Sequence, residues 1–68
     1  MKISARNQFN GTVKDVHKGQ TTAHVSIDIG GGVLVTASIT NDAVDDLGLK
    51  VGDSATAIIK ASDVLVGK

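Results

Sequence analysis

The fold class follows from one continuous stretch of the chain, Thr22–Ile39, which reads TAHVSIDIGGGVLVTASI. Its first eight residues place apolar side chains at odd positions and polar ones at even positions, a pattern that predicts a half-buried strand. Three glycines, Gly30–Gly32, come next, and consecutive glycines tolerate the positive φ of a tight turn. Apolar residues then return at positions 33, 35, 37 and 39. The stretch therefore predicts a β-hairpin with one buried face.

The chain on either side of this hairpin predicts three further short strands. They cover Phe9–Val16, Ala55–Lys60 and Val64–Val66. Gly11 interrupts the first of them, which suggests a bend or a bulge there. The residues His17–Gln20 are expected to form the turn into the hairpin.

One short helix is predicted between the third and fourth strands. Thr40 or Asn41 is a suitable N-cap, and Gly48 suits the left-handed residue that ends a helix. Val44 and Leu47 are three residues apart and are expected to face the core. Five short strands with a helix in this position predict an all-β fold, an OB-like five-stranded barrel with one short helix between strands 3 and 4.

Length and composition indicate a thin core. We expect the 68 residues to form a single domain, covering residues 1–68, and a chain of this size buries only about 60% of the surface that its unfolded form exposes. Phe9 is the one aromatic residue, and the absence of cysteine excludes a disulfide and a zinc–cysteine cluster. Small domains without such links are often stabilised by oligomerisation, which we therefore expect.

The charge pattern argues against nucleic-acid and membrane partners. Seven Lys and Arg balance seven Asp, whereas nucleic-acid-binding proteins usually carry a basic excess and, for single strands, stacking aromatic residues. No stretch approaches the roughly 20 apolar residues of a membrane span, and the N-terminus lacks the apolar run of a secretory signal. A cytoplasmic location is the expectation.

The sequence contains no convincing catalytic set. His17 and His24 are the two histidines, and neither has an Asp at a spacing typical of a catalytic triad. Asp45 and Asp46 are adjacent in the predicted helix and so do not share a face. The triple glycine lacks the following Lys and Ser or Thr of a phosphate-binding loop. A small enzyme is therefore unsupported, and no metal cation site is predicted.

Hydrogen-bond donors instead gather at three places in the predicted fold. These are the segment before the first strand, with Ser4, Arg6 and Asn7; the start of the helix, with Thr40 and Asn41; and the break after the fourth strand, with Lys60, Ala61 and Ser62. Arginine, lysine, hydroxyl and backbone N–H donors, with a helix N-terminus, suit a tetrahedral oxyanion. Each residue also has an ordinary structural explanation, and the residues alone leave both readings open.

Several motifs together resemble one family. The segments SARNQFNGTV at 4–13, TASIT at 36–40, LGLKVGD at 47–53 and AIIKASDV at 57–64 are similar to those of the molbindins, the small molybdate-binding proteins also called Mop domains. The resemblance covers the whole chain. It implies an OB-like five-stranded barrel that assembles as a homohexamer, a trimer of dimers, and a free-standing domain rather than part of a regulator or transporter.

The resemblance also implies a site for molybdate or tungstate between subunits. Ser4 and Arg6 match the residues that one subunit contributes, and Thr40, Lys60 and Ala61 match those of its neighbour. Some relatives carry a hydroxyl residue three positions after the threonine, but here that position is Ala43, which leaves only its backbone N–H.

Further residues are weaker candidates. Asn7, Asn41 and Ser62 lie beside the main set, and a second kind of site is matched to the turn with His17, Lys18 and Gly19. The resemblance implies storage or homeostasis of the oxyanion, with no cofactor beyond this ligand. The alternative is an OB-like module that binds nucleic acid or protein, which would need a basic, aromatic strand face.

Overall fold

A computed structural model of the protein describes all residues from 1 to 68. Four strands, one α-helix and one turn of 3₁₀-helix follow one another along the chain. Their bounds are β1 Asn7–Lys18, β2 Thr22–Asp28, β3 Leu34–Thr40, α1 Asn41–Leu47, β4 Ser54–Ile59 and the 3₁₀ turn Ala61–Asp63. The mainly β class and the helix between the third and fourth strands are confirmed.

The four strands form one antiparallel sheet in the order β3-β2-β1-β4. The central strand β1 is long enough to pair with two partners at different points along its length. Its first half, Asn7–Thr12, pairs with β4, and its second half, Thr12–Lys18, pairs with β2. A bulge between Val13 and Asp15 interrupts the second pairing, and bulges bend a strand and increase its twist.

The predicted hairpin is confirmed. Ala23, Val25 and Ile27, at alternate positions of β2, are buried in the core. The three glycines of the turn all have positive φ, 96°, 62° and 78° in order. A side chain would strain each of these conformations, which explains the run of glycines.

The predicted helix is confirmed at both ends. Thr40 is the N-cap, and its side chain accepts a hydrogen bond from the backbone of Ala43, while Gly48 ends the helix with φ 61° and ψ 35°. Val44 is buried as expected, but Leu47 is 69% exposed, so the prediction that it faces the core was wrong. The seven-residue helix covers the core with one residue only.

Two strand boundaries differ from the predictions. The first strand extends two residues further than predicted, so His17 and Lys18 are part of β1 and the turn begins at Gly19. The segment Val64–Val66 forms no strand and pairs with nothing in the chain, so the prediction of a fifth strand was wrong. Strand propensity alone does not form a strand, because the backbone groups need a partner.

The core is as thin as the composition predicts. Only six residues are buried: Val13, Ala23, Val25, Ile27, Val44 and Ala57. An open groove of about 770 Å³ lies between the two edge strands and is lined mostly by apolar residues of β2, β3 and β4. Leu65 and Val66 near the C-terminus are more than 90% exposed. The single chain thus leaves much apolar surface in water.

Gly11 is required for close packing rather than for a bend. A Cβ atom at this position would lie 2.4 Å from the carbonyl oxygen of Asp28 and 2.8 Å from the side chain of Ile27. The bulge is two residues further on, so the expected bend at Gly11 is not where the strand distorts. β1 can pass this close to β2 because glycine has no side chain.

Replacing Gly11 with alanine should therefore destabilise the fold. We expect Gly11→Ala to lower the free energy of unfolding by about 1–3 kcal/mol, the usual cost of overpacking, because backbone atoms of Asp28 must shift. Urea unfolding followed by far-UV circular dichroism measures the change. Gly67→Ala is the control, since nothing lies within 4 Å of a Cβ there. Equal stability of the two variants would contradict the packing argument.

Candidate functional site

Arg6 and Lys60 lie at the same end of the sheet, where β1 begins and β4 ends. The last pair of the β1–β4 ladder is Asn7 with Ile59, so Arg6 and Lys60 each lie one residue beyond this pair, on neighbouring segments of the chain. Both side chains are exposed. Neither forms an ion pair, because the one ion pair of the chain joins Lys18 to Asp45.

Two side-chain hydrogen bonds hold the approach to this end in place. Asn7 Nδ2 donates to the carbonyl oxygen of Ile59 at 3.1 Å, and Gln8 Nε2 donates to the carbonyl oxygen of Ala5 at 2.9 Å. The first bond fixes β1 against the end of β4, and the second fixes the bend that carries Arg6. Asn7 thus positions the site, and one N–H of its amide is used within the chain.

The residues after β4 present free backbone donors beside Lys60. In the 3₁₀ turn, the N–H of Asp63 donates to the carbonyl of Lys60 at 2.9 Å, and that of Val64 donates to the carbonyl of Ala61 at 3.3 Å. The N–H groups of Ala61 and Ser62 have no protein acceptor. These donors and the ammonium group of Lys60 belong to the same exposed turn.

This arrangement is chemically suited to an anion. Arg6 and Lys60 bring two positive charges to the same end of the sheet, and neither has an ion-pair partner in the chain. Ser4, exposed two residues before Arg6, adds a hydroxyl donor. Asp63 is the acid closest in sequence to Lys60, and it forms no ion pair. A bound dianion would neutralise both cations and accept hydrogen bonds from the neighbouring donors.

Thr40 lies at another place in the fold, and its hydroxyl oxygen already accepts a hydrogen bond within the chain. Its Oγ1 accepts a hydrogen bond from the N–H of Ala43 at 3.0 Å, which leaves the hydroxyl hydrogen available as a donor. The backbone N–H of Ala43, one of the sequence candidates, is used by this cap. Within the single chain this donor is therefore occupied, and its part in ligand binding stays a prediction.

Asn41 has a structural role beside Thr40. Its backbone N–H donates to the carbonyl of Thr21 at 2.9 Å, and its Nδ2 donates to the carbonyl of Gly19 at 3.0 Å. These bonds join the start of α1 to the turn between β1 and β2. Its buried Oδ1 has no hydrogen-bond partner, and this oxygen is an acceptor that an anion would not contact favourably.

The two groups of candidates lie at opposite ends of β1. Asn7, next to Arg6, begins the strand, whereas Thr40 pairs with Thr22, which follows the turn after Lys18. The register therefore places Arg6 and Lys60 at one end of the sheet and Thr40 at the other. Ser4 is close in sequence to Arg6, and Ala61 and Ser62 follow Lys60. The resemblance implies that Thr40, Lys60 and Ala61 of one subunit act with Ser4 and Arg6 of its neighbour, and this grouping stays a prediction.

The three residues matched to a second site, His17, Lys18 and Gly19, do not form a free donor set within the chain. Lys18 Nζ lies 2.5 Å from Asp45 Oδ1, so its charge is compensated by the helix. The N–H of Gly19 donates to the carbonyl of Thr22 at 2.7 Å. His17 belongs to a strand rather than to a flexible turn. The cation–turn combination on which this expectation rested is thus absent.

Two kinds of feature are absent from the chain. No group of three or more His, Cys, Asp or Glu side chains is placed to hold a metal ion. No helix is long and apolar enough to cross a bilayer.

Comparison with known proteins gives consistent matches over nearly the whole chain. Residues 3–66 match the family model described as the TOBE domain. A probable molybdenum-pterin-binding protein of Haemophilus influenzae is 51% identical over 67 residues, which cover 98% of this chain and 97% of the relative. The molybdenum transport protein ModE of Herbaspirillum seropedicae is 52% identical over 64 residues, and the chain spans about a quarter of its length (24%).

Solved structures match equally well. A molybdate-binding protein from Sporomusa ovata is 44% identical, with a TM-score of 0.92 and full coverage of both chains. The cytoplasmic molybdate-binding protein ModG, solved with molybdate bound, is 46% identical, with a TM-score of 0.91 over 96% of this chain and 46% of that one.

The Thr40 cap should contribute measurably to stability. We expect Thr40→Ala to lower the free energy of unfolding by about 1 kcal/mol, because the N–H of Ala43 loses its acceptor. Thr40→Ser keeps a hydroxyl and should stay close to the parent. Urea unfolding without added ligand compares the variants, and an undiminished stability of Thr40→Ala would exclude the cap as a stabilising contact.

Proposed function

Because the chain belongs to the TOBE-domain family and its relatives are binding proteins rather than enzymes, we propose that it binds molybdate, or tungstate, as an intact oxyanion. The observation that carries the proposal is the pair of uncompensated cations, Arg6 and Lys60, at the β1–β4 end of the sheet. The names of the relatives support molybdate as the ligand.

The anion is held by hydrogen-bond donors from two adjoining segments. Arg6 supplies a planar guanidinium with several N–H groups, and Lys60 supplies a compact ammonium group. Ser4 adds a hydroxyl, and the free N–H of Ala61 adds a backbone donor. Hydrogen bonds to a charged partner contribute on the order of 1.5–3 kcal/mol each, which offsets the loss of hydration when the anion is bound.

Charge and protonation separate molybdate from its competitors in different ways. The two cationic side chains match the charge of a dianion. Phosphate differs because it can carry a proton, and a site made of hydrogen-bond donors offers that proton no acceptor. Sulfate is also a dianion, and discrimination against it must come from the size of the cavity and the spacing of the oxygens. Asp63 stays outside the set because an anion repels a carboxylate.

The remaining donor, Thr40, comes from a second copy of the chain. Within one chain it belongs to the other end of β1, so only another copy could bring its hydroxyl to Arg6 and Lys60. The apolar groove and the exposed apolar C-terminal residues support a homo-oligomer, because their burial between copies would be favourable. We propose the hexamer, a trimer of dimers, as its form.

A site divided between copies links ligand binding to assembly. An anion that binds only the assembled form stabilises that form by mass action. The proposed cellular role is storage or buffering of the oxyanion in the cytoplasm, in which the protein releases the ligand as its free concentration falls. No catalytic step is involved.

Removing either cation should weaken binding strongly. We expect Arg6→Ala and Lys60→Ala each to lower the affinity for molybdate at least tenfold, because each removes one of two charges that face the dianion. Arg6→Lys should recover only part of the loss, since it keeps the charge and loses the fork of donors. Calorimetric titration with molybdate measures the affinities.

Lys14→Ala is the matched control for these variants. Lys14 is an exposed cation of β1 at the bulge, away from the β4 end. It should bind molybdate as the parent does. If Arg6→Ala and Lys14→Ala had the same affinity, the location of the site would be wrong. If the parent bound no molybdate at all, the proposed ligand would be wrong.

A mixing experiment tests whether the site is shared between copies. Arg6→Ala and Thr40→Ala should each bind poorly, whereas oligomers refolded from an equal mixture should regain part of the tight sites, because some interfaces then combine an intact Arg6 with an intact Thr40. Multi-angle light scattering should give a mass close to six times that of the 6.9 kDa chain. A monomer, or a mixture without restored sites, would refute the shared site.

A further inference from the structure

The two histidines of the chain lie directly opposite each other on neighbouring strands. His17 of β1 pairs with His24 of β2 in the antiparallel ladder, and both are exposed. The neighbouring pair, Val16 with Val25, faces the core, so the histidine pair projects from the outer face of the sheet. No hydrogen bond or ion pair of the chain involves either imidazole.

This placement brings two metal-binding groups within reach of one ion. Residues directly opposite in an antiparallel pair have Cβ atoms about 4.5–5.5 Å apart. Zinc–imidazole bonds are about 2.0–2.1 Å long, so one ion can bridge two such rings without movement of the backbone. The strand ladder on both sides and the hydrogen bond from the N–H of Gly19 to the carbonyl of Thr22 hold the hairpin in register. The two ligands are thus arranged before the ion arrives.

We propose that His17 and His24 form a two-imidazole site for a borderline divalent metal ion such as Ni²⁺, Cu²⁺ or Zn²⁺. Neutral imidazole is a preferred ligand for these ions, whereas Ca²⁺ and Mg²⁺ prefer oxygen. No third His, Cys, Asp or Glu joins the pair in a cluster, so water completes the coordination. The site is therefore open and its ion is exchangeable. It should bind Cu²⁺ more tightly than either Ni²⁺ or Zn²⁺.

The surrounding charges do not oppose a cation. Asp15 precedes His17 by two residues on the same strand and pairs with Ser26, and Ser38 lies opposite His24 on β3. The nearest lysine in sequence, Lys18, is turned to the other side of the strand and bound to Asp45 of the helix. The charge of Lys18 is thus compensated, and the exposed Lys14 lies three residues before His17, with Asp15 between them in sequence.

Calorimetric titration of the untagged protein with Ni²⁺ tests the site. We expect one ion per chain, and we expect His17→Ala and His24→Ala each to lower the affinity at least tenfold, because a single imidazole loses the advantage of a second ligand held nearby. The variant His24→Ala/Lys68→His keeps two imidazoles but separates them, and it should bind as weakly as His24→Ala. The double variant His17→Ala/His24→Ala measures any contribution of the terminal amine.

Thermal unfolding supplies an independent readout. Excess Ni²⁺ should raise the Tm of the parent, because the ion binds the folded hairpin and not the unfolded chain, and EDTA should reverse the shift. Far-UV circular dichroism checks that each variant is folded, and His17→Gln replaces His17→Ala if the latter is not. Two weak, equal sites in the parent, or single variants with undiminished affinity, would overturn the proposal.

The same titrations separate this site from the oxyanion site. Arg6→Ala should bind Ni²⁺ as the parent does, and His17→Ala should bind molybdate as the parent does. Loss of Ni²⁺ binding in Arg6→Ala would place the metal elsewhere and refute the pair as its site.

Discussion

The double pairing of β1 is the constraint on which the rest of the structure depends. One strand of 12 residues joins β4 along its first half and β2 along its second, with a bulge between Val13 and Asp15. Because the two partners pair with different halves of β1 and a bulge bends the strand, the sheet curls, and its edge strands line a common apolar groove. Gly11 lies where β1 crosses from one partner to the other, and backbone atoms there approach too closely for any side chain.

The same constraint decides which donors share a site. The register ends at Asn7 and Ile59, so Arg6 and Lys60 lie at one end of the sheet, and the pairing of Thr40 with Thr22 assigns Thr40 to the other end. Arg6 and Lys60 have no ion-pair partner in the chain, and a bound dianion would neutralise both. A thin core with six buried residues has little stability in reserve. Binding of ligand and of other copies would thus contribute to the stability of the fold as well as to its function.

The sequence predicted those features that depend on local patterns. Strict alternation in β2 and three glycines were sufficient for the hairpin, and Thr40 and Gly48 were sufficient for the helix ends. It did not predict features that depend on partners distant in the chain. Val64–Val66 has strand propensity but no neighbouring backbone, so the predicted fifth strand is missing. The end of β1 was missed because its pairing with β2 continues through polar residues, where hydrophobic alternation gives no signal.

The candidate site shows the same division. Residue types indicated Arg6, Lys60 and the free donors after β4, because their chemistry is a property of the residues themselves. The sequence alone could not predict that Arg6 and Lys60 lie at the same end of the sheet, since this depends on a register between segments more than 50 residues apart. The use of the backbone N–H of Ala43 also depends on the folded structure. The sequence correctly indicated that Thr40 caps the helix, but a cap uses an N–H of the first turn, and Ala43 supplies it. The cap therefore occupies this donor within the single chain.

The two ends of β1 offer opposite chemistry to ligands. At the Arg6–Lys60 end, two charged side chains and the free backbone N–H groups after Lys60 are hydrogen-bond donors, so this end suits an anion. At the hairpin end the two imidazoles of His17 and His24 would supply the nitrogen ligands of the proposed cation site. A metal bridge there would fix β1 to β2, whereas the anion contacts the β1–β4 end, so the two ligands stabilise different halves of one strand. Because they share no contact, their contributions to stability should add. If both proposed sites are occupied, one long central strand would thus connect two unlike ligands without a larger core.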